Sequence, residues 1–296
     1  PSVGGKWPDA GPDAQEPSTC GCGAPDGGGA GDEPLSPVLG SSTVVTIQRS
    51  DSIDAKGKSL EQPYLDVVEG MVNAVLTALA GGAANPWSVI LPGVGLCTRI
   101  GLKVNCLNGY LPTSPAVVRA VIKSLQVHTG VCPGNIIVWD RRLDELTTAG
   151  QYTDAHLQGA RLLGTVNAMD DPRGPGYSDT SYGVFQGSKP RLSRILLEQT
   201  DVTINLPVLK THGQSGVTAA LKNVYGFIDI PGTYHTDPKK GTDLQTALPA
   251  LYAIPPIRKG IKLTIVDALR AVTNGDTASM PDAQPARIFG SLDPDP

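Results

Sequence analysis

The chain has 296 residues, with 24 Lys and Arg against 28 Asp and Glu, giving a formal net charge of −4. Its basic residues are scattered and aromatics make up only 5%, so it has neither the basic stripe nor the stacking platform that nucleic-acid binding uses, and nucleic acid is excluded as a partner. The best apolar candidate for a bilayer span, residues 65–84, contains Asp66 and Glu69, so no membrane span is expected. The length suits one α/β domain or one domain with a subdomain.

Residues 1–40 are dominated by Gly, Pro, Asp, Ser and Ala, with GAPDGGGAGDEP as their extreme. Such a segment cannot bury enough apolar surface to fold alone. It reads as an extended arm, and ordering it would need a surface on the chain's own body or on a neighbouring copy. The sequence opens on Pro1 without an apolar signal core, which suits a chain whose leader has been removed, and an exported, periplasmic or extracellular protein is expected. The five cysteines, Cys20, Cys22, Cys97, Cys106 and Cys132, form no CxxC, no CxxCH and no cysteine–histidine zinc spacing, which argues against haem attachment and a zinc ribbon. An odd count leaves at least one thiol free or paired between chains, and a disulfide is expected in an oxidising compartment.

Within the α/β domain, residues 41–296, residues 43–49 (TVVTIQR) read as a strand, and residues 63–79 as an amphipathic helix with Val68, Met71, Val72, Val75 and Leu79 on its apolar face. Residues 88–91 and 100–106 supply strand material. In the second of these, Lys103 and Asn105 occupy alternate positions and therefore one face. Ser114 and Pro115 start a helix that runs to about His128. Residues 135–140 (NIIVWD) form a buried parallel strand that ends in Asp140, the position from which α/β proteins project functional carboxylates. Residues 141–190 read as an inserted flap with short helices, and residues 192–199 as a short helix.

The stretch from Asn205 to Gly226, NLPVLKTHGQSGVTAALKNVYG, concentrates the chemistry. Residues 201–206 form an apolar strand stopped by Pro207. A polar turn over residues 211–215 should follow, and then a helix opening at Gly216, with Thr218 and Lys222 on one face and Asn223 beside them. A helix N-terminus at a strand's carboxyl end attracts anions, so Lys210 and His212 should sit in a crevice there. His235 can reach over it as a second histidine. Residues 262–266 form another strand, which ends in Asp267, so His212, His235, Asp140 and Asp267 are candidate ligands for a divalent metal. There is no GxGxxG dinucleotide motif, no P-loop and no GxSxG elbow.

Several spaced blocks, IGLKVNC, NIIVWD, INLPVLKTH, GVTAALKNVYG and KLTIVDA, resemble the bacterial and archaeal family known as domain of unknown function 362. The resemblance covers residues 43 to the end and implies an α/β fold and a site at these motifs, with no activity attached. It places KVN in a recurrent block, which strengthens Lys103 and Asn105 as site residues. Many relatives carry ferredoxin-like cysteine runs; this chain has none, so no iron–sulfur cluster is expected. Similar proteins continue past the Asp-Pro motif at which this sequence stops, so a C-terminal portion is expected to be missing.

The fold expected is a mainly parallel, doubly wound sheet with helices on both faces, preceded by the arm. The function expected is an exported protein with a small-anion or metal site. In that site Lys210, His212 and Asp140 are the catalytic candidates, and Lys103, Asn105, Thr218, Lys222 and Asn223 bind the ligand. The competing expectation is a structural subunit of an extracellular homo-oligomer or filament joined through residues 1–40.

Overall fold

In the computed structural model, which describes residues 43–54, 64–107, 109–183, 187–275 and 279–292, the apolar runs of the sequence become strands of one sheet. Strand β1 (Val44–Gln48), helix α1 (Tyr64–Leu79), the short helix α2 (Trp87–Ile90), β2 (Ile100–Val104) and α3 (Pro115–Thr129) come first. Next are β3 (Ile136–Arg142), the short helices α4 (Leu143–Glu145) and α5 (Asp154–Leu157), and strands β4 (Arg161–Val166), β5 (Tyr177–Ser181) and β6 (Arg191–Ser193). Strands β7 (Val202–Leu206), β8 (Val208–His212) and β9 (Gly216–Thr218) lead to helices α6 (Leu244–Tyr252) and α7 (Pro255–Gly260), and β10 (Ile261–Val272) and β11 (Arg287–Ser291) close the order. The arm expected over residues 1–40 lies outside the described residues.

The central sheet runs β1-β11-β10-β7-β2-β3-β4. From β10 to β4 every neighbouring pair is parallel, and β11 joins β10 and β1 antiparallel at one side. From β2 the chain moves outward through β3 and β4, whereas β7 and β10 lie on the opposite side of β2. Strands β2 and β7 are therefore parallel neighbours in the middle of the sheet, with their carboxyl ends side by side.

Strand alternation divides the packing into two clusters. Ile100, Leu102 and Val104 of β2, and Val202, Ile204 and Leu206 of β7, pack with the apolar stripes of α1 and α3. On β3, Ile136 and Val138 join that cluster, while Ile137 and Trp139 join a second one with Phe227, α6 and α7. The intervening residues of β2 and β7 are Gly101, Lys103, Thr203 and Asn205. The face opposite α1 and α3 is therefore polar along its two central strands, and side-chain alternation alone delivers Lys103 and Asn205 there, directly opposite one another in the β2–β7 register. Helix α3 begins where expected: the Ser114 side chain accepts from the Ala116 amide at 3.2 Å, Pro115 occupies the first turn, and Gly130 ends the helix at φ 67°.

Four local expectations need correction. Residues 216–226 do not open a helix. Strand β7 does end at Leu206, before Pro207, but a new strand, β8, begins at Val208 and β9 folds back on it as a hairpin, so Thr218 and Lys222 share no helical face. Lys222 starts a 3₁₀ segment, Lys222–Phe227. Residues 88–91 lie in and just after α2 rather than in a strand, because Asn85 accepts from the Trp87 amide at 3.1 Å and starts a turn. The segment 141–190 is more than an insertion, since β4 pairs with β3 and extends the sheet. Within residues 192–199, Leu192 and Ser193 belong to β6, and a π-turn covers Ile195–Gln199.

Candidate functional site

β10 lies parallel to β7 through its first part and to β8 further along. This guides the chain past Pro207, which has no N–H to give a ladder, and the Pro207 carbonyl accepts from the Asp267 amide at 2.8 Å. The β8–β9 hairpin is thereby held beside the carboxyl ends of β2 and β3. On β8 the alternating burial points Val208, Lys210 and His212 inward, and Thr218 of β9 sits directly opposite Lys210.

Lys103, Asn105, Asp140, Lys210, His212, Thr218, Lys222, Asn223 and His235 all line one cavity of about 250 Å³. Arg141, Glu145, Tyr225 and Gly226 line it as well and were not singled out from sequence. Asp267 does not. It lies inside β10 rather than at a strand end, and its carboxylate accepts from the Ser114 amide at 2.7 Å and the Leu269 amide at 3.0 Å, tying the start of α3 to the sheet.

Two lysines inside this cavity have opposite surroundings. The fully buried Lys103 ammonium donates to Asp140 Oδ1 at 2.6 Å, to the Val104 carbonyl at 2.7 Å and to Asn223 Oδ1 at 3.5 Å, which uses all three of its protons. Asp140 also accepts from the amides of Cys106 at 2.8 Å and Arg141 at 2.7 Å, so it is neutralised and held by three donors. Lys210 is only 1% exposed. Its ammonium donates to a single neutral acceptor, Asn105 Oδ1, at 3.1 Å, and it forms no ion pair with a carboxylate among the described residues. Burial pushes its pKa down to about 8, against the weaker opposing pull of Cys106, Asp140 and Asp267.

An amide chain connects the two. Asn105 donates to Asn223 Oδ1 at 3.3 Å, and Asn223 donates to Asn205 Oδ1 at 2.7 Å and to the Lys103 carbonyl at 3.2 Å. Asn205 in turn donates to the Ala220 carbonyl at 3.1 Å. Asn205 is a further residue of this region that sequence reading passed over. Its signal was an amide inside an otherwise apolar strand, a placement that demands buried partners. Gly226 gave no sequence signal of its own: a Cβ there would run into the Lys103 side chain and lie 2.9 Å from Asp140 Oδ1.

Nδ1 of His212 accepts from the amides of Gln214 at 3.1 Å and Ser215 at 3.2 Å. Two N–H donors aimed at one ring nitrogen require its lone pair, so the ring proton resides on Nε2 and His212 is a donor there. Lys222 Nζ lies 3.4 Å from His235 Nε2 and 4.2 Å from the Tyr225 ring centroid, and the two histidine rings are 5.8 Å apart between centroids. The hydroxyl of Thr218, 3% exposed, finds no hydrogen-bond partner among the described residues. Glu145 has its pKa raised by burial and by the neighbouring Asp140 charge.

The four-residue metal set expected from sequence is not assembled. Asp267 is directed elsewhere, Asp140 is committed to Lys103 and two amides, and no three of His, Cys, Asp and Glu gather in a metal-holding group among the described residues. What the cavity offers instead is donors: the Lys210 and Lys222 ammonium groups, His212 Nε2–H and the Thr218 hydroxyl.

A mostly parallel α/β sheet carrying a lysine- and asparagine-rich crevice at its carboxyl ends defines the class of protein. The chain belongs to the family described as Domain of unknown function (DUF362), whose model matches residues 100–294 and so includes every lining residue named above. A crystal structure of a protein from Thermotoga maritima is similar at 11% identity and a TM-score of 0.40, over 73% of this chain and 54% of that one. The chain thus spans about half the length of that protein. No curated protein matches.

Proposed function

We propose that this chain binds a small anion, a carboxylate or phosphate, in the cavity between the β8–β9 hairpin and the ends of β2 and β3. The observation that carries this reading is Lys210, a buried ammonium in the cavity wall whose one hydrogen-bond partner among the described residues is neutral. Burying a cation unpaired is unfavourable, and a bound anion relieves that penalty. Thr218 supports it, because its buried hydroxyl has no acceptor among the described residues and stands across the strand pair from Lys210. Lys103 and Asp140 neutralise one another and act as the frame that orients Asn223 and, through it, Asn105. In this reading Asp140 has a positioning role rather than the catalytic role expected from sequence.

Export is part of the same reading. Cys97 and Cys132 each sit in a disulfide while Cys106 is a buried free thiol, and disulfides persist in oxidising compartments. The doubly wound arrangement is supported by the two separate apolar clusters, one with α1 and α3 and the other with α6 and α7.

The test is calorimetric titration of the full chain with inorganic phosphate and with citrate at low ionic strength. Binding that is lost in Lys210→Met and weakened in Thr218→Val is expected. Equal heats in wild type and Lys210→Met would end this reading.

A further inference from the structure

The environment of Lys210 suits more than charge pairing. A lysine that only clamps an anion gains from a position at the mouth of a cleft, where hydration supports its charge. Lys210 is instead inside the wall, held at one proton by Asn105 Oδ1 and opposite a hydroxyl that lacks an acceptor among the described residues. Two residues along the same face of β8, His212 presents a proton on Nε2, fixed by the two amides at Nδ1. An amine withdrawn from water, a neutral hydrogen-bonding neighbour and a hydrogen-bond donor for the carbonyl oxygen are parts that suit attack on a carbonyl.

Resting on the anion-site reading above, we infer that Lys210 forms a Schiff base with a small anion that carries a ketone or aldehyde beside its acidic group, a 2-oxo acid being the simplest member of the class. The balance is complete without a further reactant. The neutral Nζ adds to the carbonyl carbon, forming a C–N bond, and the oxygen takes a proton to become a hydroxyl. That hydroxyl then takes a second proton and leaves as water, breaking the C–O bond. The product is the protonated imine, so lysine ammonium plus carbonyl becomes iminium plus water, with no oxidation or reduction. The nitrogen carries positive charge as the ammonium at the start and as the iminium at the end, and is neutral only while it attacks and in the hydroxyl adduct, so a carboxylate one carbon away is paired with it before and after the step. Thr218 is placed to donate to that carboxylate and His212 Nε2–H to hydrogen-bond the departing oxygen, which takes its first proton from Nζ itself and its second from solvent, in place of the one the Lys210 ammonium released on becoming neutral. Burial of Lys210, which holds its pKa near 8, keeps a fraction of the amine neutral at moderate pH.

The experiment is reductive trapping. Full-length protein is incubated with pyruvate and cyanoborohydride, its intact mass is measured, and the modified residue is mapped on peptides. Parallel samples are Lys210→Arg, which keeps the charge and lacks a nucleophilic amine, and Lys239→Arg, which alters an exposed lysine away from the cavity. A single adduct on Lys210 is expected. It should disappear in Lys210→Arg, persist in Lys239→Arg, fall with excess phosphate, and form faster as pH rises toward about 8 before levelling off. Adducts spread over surface lysines, and equal in Lys210→Arg, would overturn the inference. Phosphate titration of the same samples separates the two claims. Phosphate binding without a Lys210 adduct rejects the Schiff base and leaves the anion site standing, whereas loss of both rejects both.

Discussion

Lys103 and Lys210 are buried in the same crevice, yet only one of them has a carboxylate beside it. For Lys103 the consequence is structural. Asp140→Asn would leave its ammonium buried without a counter-charge, and a loss of about 3–5 kcal/mol in urea unfolding is expected. Gly226→Ala reaches the same pair sterically, because the added Cβ meets the Lys103 side chain and Asp140, and about 1–3 kcal/mol is expected to be lost. For Lys210 the consequence is a pH dependence. Its folded pKa of about 8 lies below the ordinary lysine value of 10.5, so the folded state disfavours the charged form. The penalty is complete below about 8 and is relieved as pH rises toward 10.5, amounting to about 3 kcal/mol in all. Wild type should therefore gain stability relative to Lys210→Met between pH 8 and 10. A stability difference that stays constant across that window would show that Lys210 is not the group responsible.

At the scale of elements, the hairpin and β10 decide where the site lies. Asp267 belongs to that frame and not to the cavity. Asp267→Ala removes two hydrogen bonds from buried or part-buried amides, and a stability loss of about 2–3 kcal/mol is expected, with phosphate binding retained. Loss of binding at unchanged stability would return Asp267 to the site. The sequence was legible wherever pattern and burial agree: α1, α3, β3 and β7 follow directly from apolar periodicity. It misled at residues 216–226, where helical spacing of Val217, Ala220, Leu221 and Val224 is real but tertiary pairing wins: Val217 stands opposite Thr211 in a strand ladder and is half exposed. Nine of the ten candidate site residues converge on one cavity because each sits at or near a strand's carboxyl end or in the segments after β9, a topological regularity that sequence can express. The division of labour among them could not be read, since it depends on which lysine meets Asp140, a contact between residues 37 positions apart.

Taken as a whole, the molecule combines a covalently secured body with a soft-wired site. Cys97 and Cys132 are in disulfides on the α2–β2 and α3–β3 connections, so reduction should lower stability by about 2–4 kcal/mol, measured as a drop in urea midpoint with reductant. An unchanged midpoint would mean these bridges constrain little of the unfolded chain. The break at Pro207 carries a different implication. Because β10 runs unbroken past it while β7 stops there and β8 begins anew, the core ladder and the hairpin bearing Lys210, His212 and Thr218 are joined end to end but do not share a continuous strand. Substitutions beyond Pro207 can therefore alter what the crevice accepts while the hydrophobic layers beneath keep their register.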